Sequence, residues 1–329
     1  MVGGHPYRSS MKKNILLIGF GNIGKRHFEG IIKSNFKMNI YIIDPLISDI
    51  DKNIIKKNNS NIYTIEFYSY LVKFKFKFDL AIVATTSDIR SKILKKLLLK
   101  NKIDNLILEK ILFQKLNHYN EIYNIFKTKN IKVWINCPRK FYEIYKFIKK
   151  DIKQSDKITI DVTGENWGLG CNSIHFIDLL DFFKQFKTYN IFNNNLHNKI
   201  YLSKRKKFFE FKGSFSLITN NGDIVNLKDD KSKIGNRIIT ITCKKKYIID
   251  ETKKTVMIIN SSKKTLKKFN QSIYQSDITN IQINEIFSKN NSSLSTYKDS
   301  MKHHIPLINF FLNHFNLNSK YKRTLCPIT

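Results

Sequence analysis

Cysteine is scarce in this chain, and the four present, Cys137, Cys171, Cys243 and Cys326, stand apart rather than in CxxC or finger-like spacing. That pattern argues against a disulfide framework or a zinc ribbon and reads as reduced thiols. Acidic residues are also few, 26 Asp and Glu against 58 Lys and Arg, for a formal net charge of +32. No apolar run approaches the roughly 18 residues that a membrane-crossing helix needs, so no membrane partner is expected. The opening decapeptide, Met1 to Ser10, lacks the apolar core of a signal peptide. It predicts a disordered tail over residues 1–10, either an upstream start or an appended segment, on a cytoplasmic protein. Glycine is sparse too, 12 residues in 329, yet three fall at positions 19, 21 and 24.

Excess positive charge raises nucleic acid as a partner. The basic residues, however, are mostly Lys spread over nearly every segment, and they accompany Asn and Ile, a set whose codons are all AT-rich. A biased genome explains the three enrichments together, whereas a nucleic-acid site explains only the charge. No nucleic-acid partner is therefore assigned, although the field is suited to steering small anionic substrates. The eight histidines are dispersed, and His303-His304 has no acidic or cysteine companion at ligand spacing, so no metal site is predicted. An apolar content of 42% with 13% aromatics is that of a globular protein, long enough here for two domains.

The apolar run Ile15-Leu16-Leu17-Ile18 leads straight into Gly19-Phe20-Gly21-Asn22-Ile23-Gly24. In such a fingerprint the first glycine permits a tight turn, the second lets backbone approach a pyrophosphate, and the third lets helix pack on strand. The helix start then offers N–H groups to phosphate. A second run, Ile40 to Ile43, ends in Asp44, about 20 residues beyond the last glycine, where a carboxylate meets a ribose diol. Asp44 favours NAD over NADP; its alternative role is a turn residue before Pro45. Further strands are read at Ile62 to Ile65, Leu80 to Ala84 and Leu106 to Leu108, with a helical stripe from Ile89 to Leu99. Alternating strands and helices predict a doubly wound parallel sheet, with ligands at the carboxyl ends of strands, where Thr85, Thr86, Glu109 and Lys110 fall.

Beyond Trp134 that pattern stops. A helix from Tyr142 to Lys150, a strand from Lys157 to Val162 and β-rich runs at Phe208 to Phe211, Ser214 to Thr219, Ile238 to Thr242 and Thr255 to Ile259 suggest a mostly antiparallel sheet. The Asn193-Asn194-Asn195 patch reads as a loop, and an amphipathic helix is expected near Tyr297 to Phe315.

Distributed over residues 12 to 315, GFGNIGKRH, ATTSDIR, LILEK, CPRK, NSIHFIDLL and LSTYKDSMKHH make the chain resemble the Gfo/Idh/MocA family of sugar and cyclitol oxidoreductases. The resemblance implies an α/β protein with an N-terminal Rossmann domain over 11–134 and a C-terminal mixed α/β domain over 135–329 carrying a large open sheet. The second domain would shape the substrate pocket and a homodimer or homotetramer interface, with the last helix packing back on the first. It implies NAD, held by Gly19, Phe20, Gly21, Asn22, Ile23, Gly24, Asp44, Thr85, Thr86 and Glu109. It also implies a sugar, amino-sugar or nucleotide-sugar substrate, with Lys110 as acid/base and His175 on the same substrate oxygen. Arg139, Cys171, Asn172 and Asp178 are weaker candidates for the substrate side, with structural hydrogen bonding as the alternative for Arg139 and Asn172, and Trp167 and Tyr297 for the pocket wall or the core.

Three departures stand out. Ile111 replaces the usual Pro after Glu-Lys, Cys171 replaces the Asp four residues before His175, and Arg90 stands where His is common. A Lys base needs burial or neighbouring positive charge, which His175 is expected to supply, with Asp178 orienting the imidazole or serving as a buried structural residue. Loss of the usual Asp leaves a second class open, a cofactor-binding regulator or scaffold without catalysis.

Overall fold

The computed structural model describes residues 12–46, 61–231, 237–261, 263–271 and 274–329. The expected N-terminal tail lies outside them. The chain divides into two compact units, one running through Glu109 and taking in Glu121–Asn136 and Ile273–Thr296, the other formed by Lys110–Asn120, Cys137–Ser272 and Tyr297–Thr329.

In the first unit, strands β1 (Lys13–Ile18), β2 (Met38–Ile43), β3 (Ile62–Tyr68), β4 (Lys77–Val83), β5 (Lys102–Glu109) and β6 (Lys132–Asn136) form a parallel sheet in the order β6-β5-β4-β1-β2-β3. Helices α1 (Asn22–Ile32), α2 (Ser87–Lys100) and α3 (Asn117–Thr128) alternate with them. The order reverses beside β1, the switch point at which such sheets open a ligand crevice. The last four residues of β1 and of β4 are all buried, as parallel strands covered on both faces require.

The second unit takes the chain through a 3-10 turn (Pro138–Phe141), α4 (Glu143–Asp151), β7 (Thr159–Gly164), α5 (Leu169–Asn172) and α6 (Ile174–Phe183). It continues with β8 (Tyr189–Leu196), the hairpin β9 (Tyr201–Leu202) and β10 (Phe209–Glu210), and β11 (Gly213–Thr219). The last strands of this sheet are β12 (Ile224–Asp229), β13 (Ile238–Thr242), β14 (Lys246–Asp250), β15 (Thr255–Asn260) and β16 (Lys263–Lys268). Its sheet runs β16-β15-β14-β13-β7-β12-β11-β8, antiparallel throughout except where β12 lies parallel to β7. Buried and half-exposed residues alternate along β7 and β13, the signature of a sheet packed more heavily on one face. Edge strand β16, KKTLKK, is exposed throughout and its lysines disfavour edge-to-edge pairing.

The α/β class, with a parallel Rossmann sheet and a mostly antiparallel second sheet, is as the sequence implied. The asparagine patch is not a loop. Asn193, Asn194 and Asn195 lie in β8, opposite Ser216, Phe215 and Ser214 of β11 next to a bulge at Ser216/Leu217, because pairing to the neighbouring strand overrides their weak strand preference.

The chain re-enters the first unit late, through α7 (Gln275–Lys289) and β17 (Ser295–Thr296), the latter antiparallel to β6. Gly30 lets α1 meet α7, since a Cβ there would fall 2.4 Å from the Ser276 carbonyl oxygen. The final helix, α8 (Tyr297–Asn318), belongs to the second unit.

Candidate functional site

The first unit holds the glycine turn. Gly19 has φ of +90°, which side chains rarely adopt. At Gly24 a Cβ would sit 2.0 Å from the Gly19 carbonyl oxygen, so helix and strand could not approach this closely with any other residue. Gly21, the N-cap of α1, has nothing within 4 Å of the same position and no side-chain cap bond. The turn is tight behind and open in front, as a backbone cradle for a pyrophosphate must be, and Asn22 and Ile23 open the helix there. Phe20 packs its ring edge-on against Phe28.

Asp44 takes the turn role expected of it and also grips the glycine turn. Its Oδ2 accepts from the Phe20 N–H at 2.6 Å and its Oδ1 from the Leu46 N–H at 2.9 Å, so it ties β2 to the glycine turn and shapes its own turn. Each oxygen keeps a further lone pair for a ribose hydroxyl. The residues present therefore fit a dinucleotide.

Thr86 caps α2 through backbone alone, and the Thr85 carbonyl accepts from Arg90. Arg90 is buried, 1% exposed. Glu109 ends β5 in a buried chain the sequence did not reveal. Its Oε1 lies 2.9 Å from His27 Nε2 and also accepts from Asn136, while His27 Nδ1 meets Thr279 Oγ1 at 2.9 Å. The one forward signal was His27 itself, one turn beyond Gly24.

The second unit holds a pocket of about 500 Å³ lined by Lys110, Trp167, Cys171, Asn172, Glu210 and Arg205 among others. The Lys110–Ile111 peptide bond is cis. Lys110 Nζ donates to the Cys171 carbonyl at 3.0 Å and to Asn172 Oδ1 at 3.1 Å. An ammonium has three N–H donors, so one remains for a ligand. Asn172 is fixed in turn by donating to the Trp167 carbonyl at 2.6 Å, and Trp167 by donating to the Lys228 carbonyl at 2.8 Å. Burial pushes the Cys171 thiol up to about 12, which makes it a poor nucleophile.

The α5 turn is held by two carboxylates that no local motif announces. Glu210 on β10 accepts from the Gly170 N–H at 2.7 Å and the Cys171 N–H at 3.2 Å, and Asp229 on β12 accepts from Gly168 at 2.8 Å and Leu169 at 3.2 Å. Burial raises the pKa of both.

His175 lies on α6, 9% exposed, with no hydrogen-bond partner for Nδ1 among the described residues. Burial, reinforced by the charges of Lys110, Arg139 and Arg237, lowers its pKa well below the usual imidazole value. The expectation that His175 supplies a cationic field is thus reversed; the imidazole is neutral and the surrounding cations keep it so. Asp178 takes the second of its expected roles, a buried structural residue: it faces Lys140 Nζ at 3.2 Å and lies 3.8 Å from His303 Nδ1. Arg139 is outside the lining of this pocket and takes the structural alternative. Its guanidinium grips Glu251 through Nε at 2.8 Å and Nη2 at 3.0 Å, stacks 4.5 Å over Phe176, and shares Glu251 with Arg237 and Tyr145. The paired arginines hold the Glu251 carboxyl down to about 2 against burial. Tyr297 is core, its hydroxyl donating to the Tyr119 carbonyl at 2.9 Å.

Among solved structures, the fold is similar to UDP-N-acetylglucosamine 3-dehydrogenase GnnA from Acidithiobacillus ferrooxidans, with TM-score 0.66 and 9% identity over 91% of this chain and 96% of that one. It is also similar to the dehydrogenase MviM from Clostridium difficile, with TM-score 0.66 and 17% identity over 92% and 99% of the two chains. A super-repressor mutant of Gal80p from Saccharomyces cerevisiae aligns with TM-score 0.69 and 16% identity over 94% and 97%. These likenesses show the fold. No curated protein sequence matches the chain. The sequence of residues 13–137 matches the family model described as the oxidoreductase family, NAD-binding Rossmann fold. Residues 13–137 therefore belong to the GFO_IDH_MocA oxidoreductase family, as its NAD-binding Rossmann fold.

Proposed function

We propose that the protein is an NAD-dependent oxidoreductase acting at a CH–OH or carbonyl carbon of a sugar, amino sugar or nucleotide sugar. The observation that carries this reading is Lys110. It follows Glu109, the last residue of β5, by one peptide bond, and its ammonium is held by two acceptors on a pocket wall. A nicotinamide, when bound, supplies the hydride chemistry. Gly19, Gly21, Gly24 and the start of α1 would hold its pyrophosphate, and Asp44 the adenosine ribose, with a preference for NAD because a 2′-phosphate would meet a like charge.

Lys110 Nζ gives a proton to the substrate oxygen in the reducing direction and takes it back in the oxidising one. Neutral His175 offers that oxygen a hydrogen bond without adding charge, and Asn172 keeps the Lys110 side chain aimed. GnnA, named for a nucleotide-sugar dehydrogenation, is consistent with this substrate class.

The test is a titration with NADH and NADPH, following energy transfer from Trp134 and Trp167, together with Lys110→Ala. Tight NADH and weak NADPH binding are expected, with turnover in Lys110→Ala falling by about 10²-fold or more while NADH affinity holds. Unchanged turnover would remove Lys110 from the chemistry. A second reading, a cofactor-binding regulator, is favoured by Cys171 in place of a carboxylate, and NADH binding without turnover on any sugar would support it.

A further inference from the structure

The pocket of the second unit has a charge distribution that the acid/base reading leaves unused. Four cations line it, Lys110, Lys204, Arg205 and Lys212, against two side-chain carboxylates, Glu210 and Asp229, with Thr329 also on the wall. Glu210 spends both oxygens, and Asp229 its Oδ2, on backbone N–H groups of residues 168–171. Among the described residues no ion pair joins any of the four to an Asp or Glu side chain; Lys110 and Lys212 instead donate to neutral acceptors.

Lys204 and Arg205 stand exposed between β9 and β10, a hairpin whose base is anchored. The Phe209 N–H donates to the Pro327 carbonyl at 2.8 Å, the Phe209 ring meets Phe315 at 5.3 Å, and the neighbouring Phe211 stacks on Phe311 at 4.6 Å. Arg205 lines the same pocket as Lys110. Lys212 Nζ donates to Asn166 Oδ1 at 2.7 Å and lies 5.2 Å from the centre of the Tyr201 ring, which with Trp167 gives the pocket aromatic surface.

We propose that this pocket takes a phosphate-bearing sugar, with the phosphate held by Arg205, Lys204 and Lys212 while Lys110 meets the reacting oxygen. The proposal rests on the oxidoreductase reading of Lys110 but concerns the opposite end of the substrate. A guanidinium offers two parallel N–H donors that match phosphate oxygens, and the flanking ammonium groups add charge without a fixed direction. The aromatic rings suit the apolar face of a sugar or a base. The general charge of the chain does not substitute for this arrangement, because charges farther away than about 8 Å are largely screened at physiological salt.

The test uses the whole protein in about 150 mM salt, where unspecific attraction is screened, without nicotinamide. Calorimetry follows binding of inorganic pyrophosphate, glucose 1-phosphate, UDP and neutral glucose. The phosphorylated probes are expected to bind and glucose not to at the same concentration. Arg205→Ala weakens them by about tenfold or more and Arg205→Lys by less, since a hydrogen bond to a charged group contributes about 1.5–3 kcal/mol. Lys264→Ala, on the exposed edge strand β16, changes nothing. UDP binding more tightly than glucose 1-phosphate assigns a nucleotide-linked substrate; the reverse assigns a simple sugar phosphate.

Equal losses in Arg205→Ala and Lys264→Ala, or glucose binding as tightly as glucose 1-phosphate, overturn the proposal. The NADH titration is run on the same preparations. Its failure would defeat the oxidoreductase reading and leave the phosphate result to stand on its own.

Discussion

Each unit contains a glycine turn that leads into a helix, and the two turns are finished in opposite ways. In the first, Gly21 caps α1 with open space at its Cβ position and no side-chain cap bond. In the second, four successive N–H groups, from Gly168 to Cys171, are taken by Asp229 and Glu210. Apart from the Phe20 N–H, which Asp44 takes, the first turn leaves its helix start without a side-chain acceptor, an arrangement suited to an anion from outside. The second has internal anions, so it becomes a rigid wall and lends its carbonyl oxygens to Lys110 instead. A glycine-rich helix start is therefore a binding site only when the rest of the chain leaves it uncapped.

The largest expected effect comes from unplugging the second turn. Asp229→Ala strands the Gly168 and Leu169 amides, and at about 1–3 kcal/mol for each unsatisfied buried group the loss of stability should reach about 2–6 kcal/mol by urea denaturation. A loss within 0.5 kcal/mol, the ordinary scale of a neutral surface change, would show that the plug is dispensable.

Crowding the closed side of the first turn comes next. Gly24→Ala places a methyl group against the Gly19 carbonyl, and overpacking of this kind costs about 1–3 kcal/mol. Gly21→Ala sharpens the contrast, because space is free there but the residue approaches the pyrophosphate. Its stability should change by less than about 1 kcal/mol, while NADH binding weakens. Equal loss of NADH affinity and of stability in that variant would argue that the front of the turn is structural as well.

The smallest effect is in pH dependence. Burial holds the Asp229 and Glu210 carboxyls above their ordinary values, so the folded state keeps these protons longer than the unfolded chain does. The stability they contribute is greatest below the unfolded value of roughly 4, falls as pH rises through their raised values, and is then flat. Glu210→Gln should remove its share of that slope, seen as a smaller difference in unfolding free energy between acidic and neutral pH than the parent shows. An unchanged slope would place the titration elsewhere.

Local signals made the first turn readable. Three glycines at fixed offsets, an apolar run before them and a carboxylate about 20 residues later describe contiguous backbone, and contiguous backbone is what a sequence states directly. Asp44 was legible by spacing, although not its grip on the Phe20 N–H. The second turn was legible only as a helix bearing His175. Glu210 lies 39 residues beyond Cys171 in a lysine-rich hairpin, and nothing near it marks it as the carboxylate that closes α5. Asp178 and Arg139 were found as residues but not their partners, because Lys140 reaches Asp178 from a separate turn and Glu251 reaches Arg139 from the turn after β14.

The sequence alone determined the α/β class, the glycine cradle and the position of Lys110 at the end of β5, since each depends on residues adjacent in the chain. Tertiary structure decided that His175 is neutral, that Arg139 is locked to Glu251, and that Lys110 shares a pocket with Arg205 and Glu210. Those outcomes depend on burial and on charges brought together across sheet and hairpin pairings. The interaction between two charged groups is set by their separation in space and by the solvent excluded around them, and spacing along the chain encodes neither.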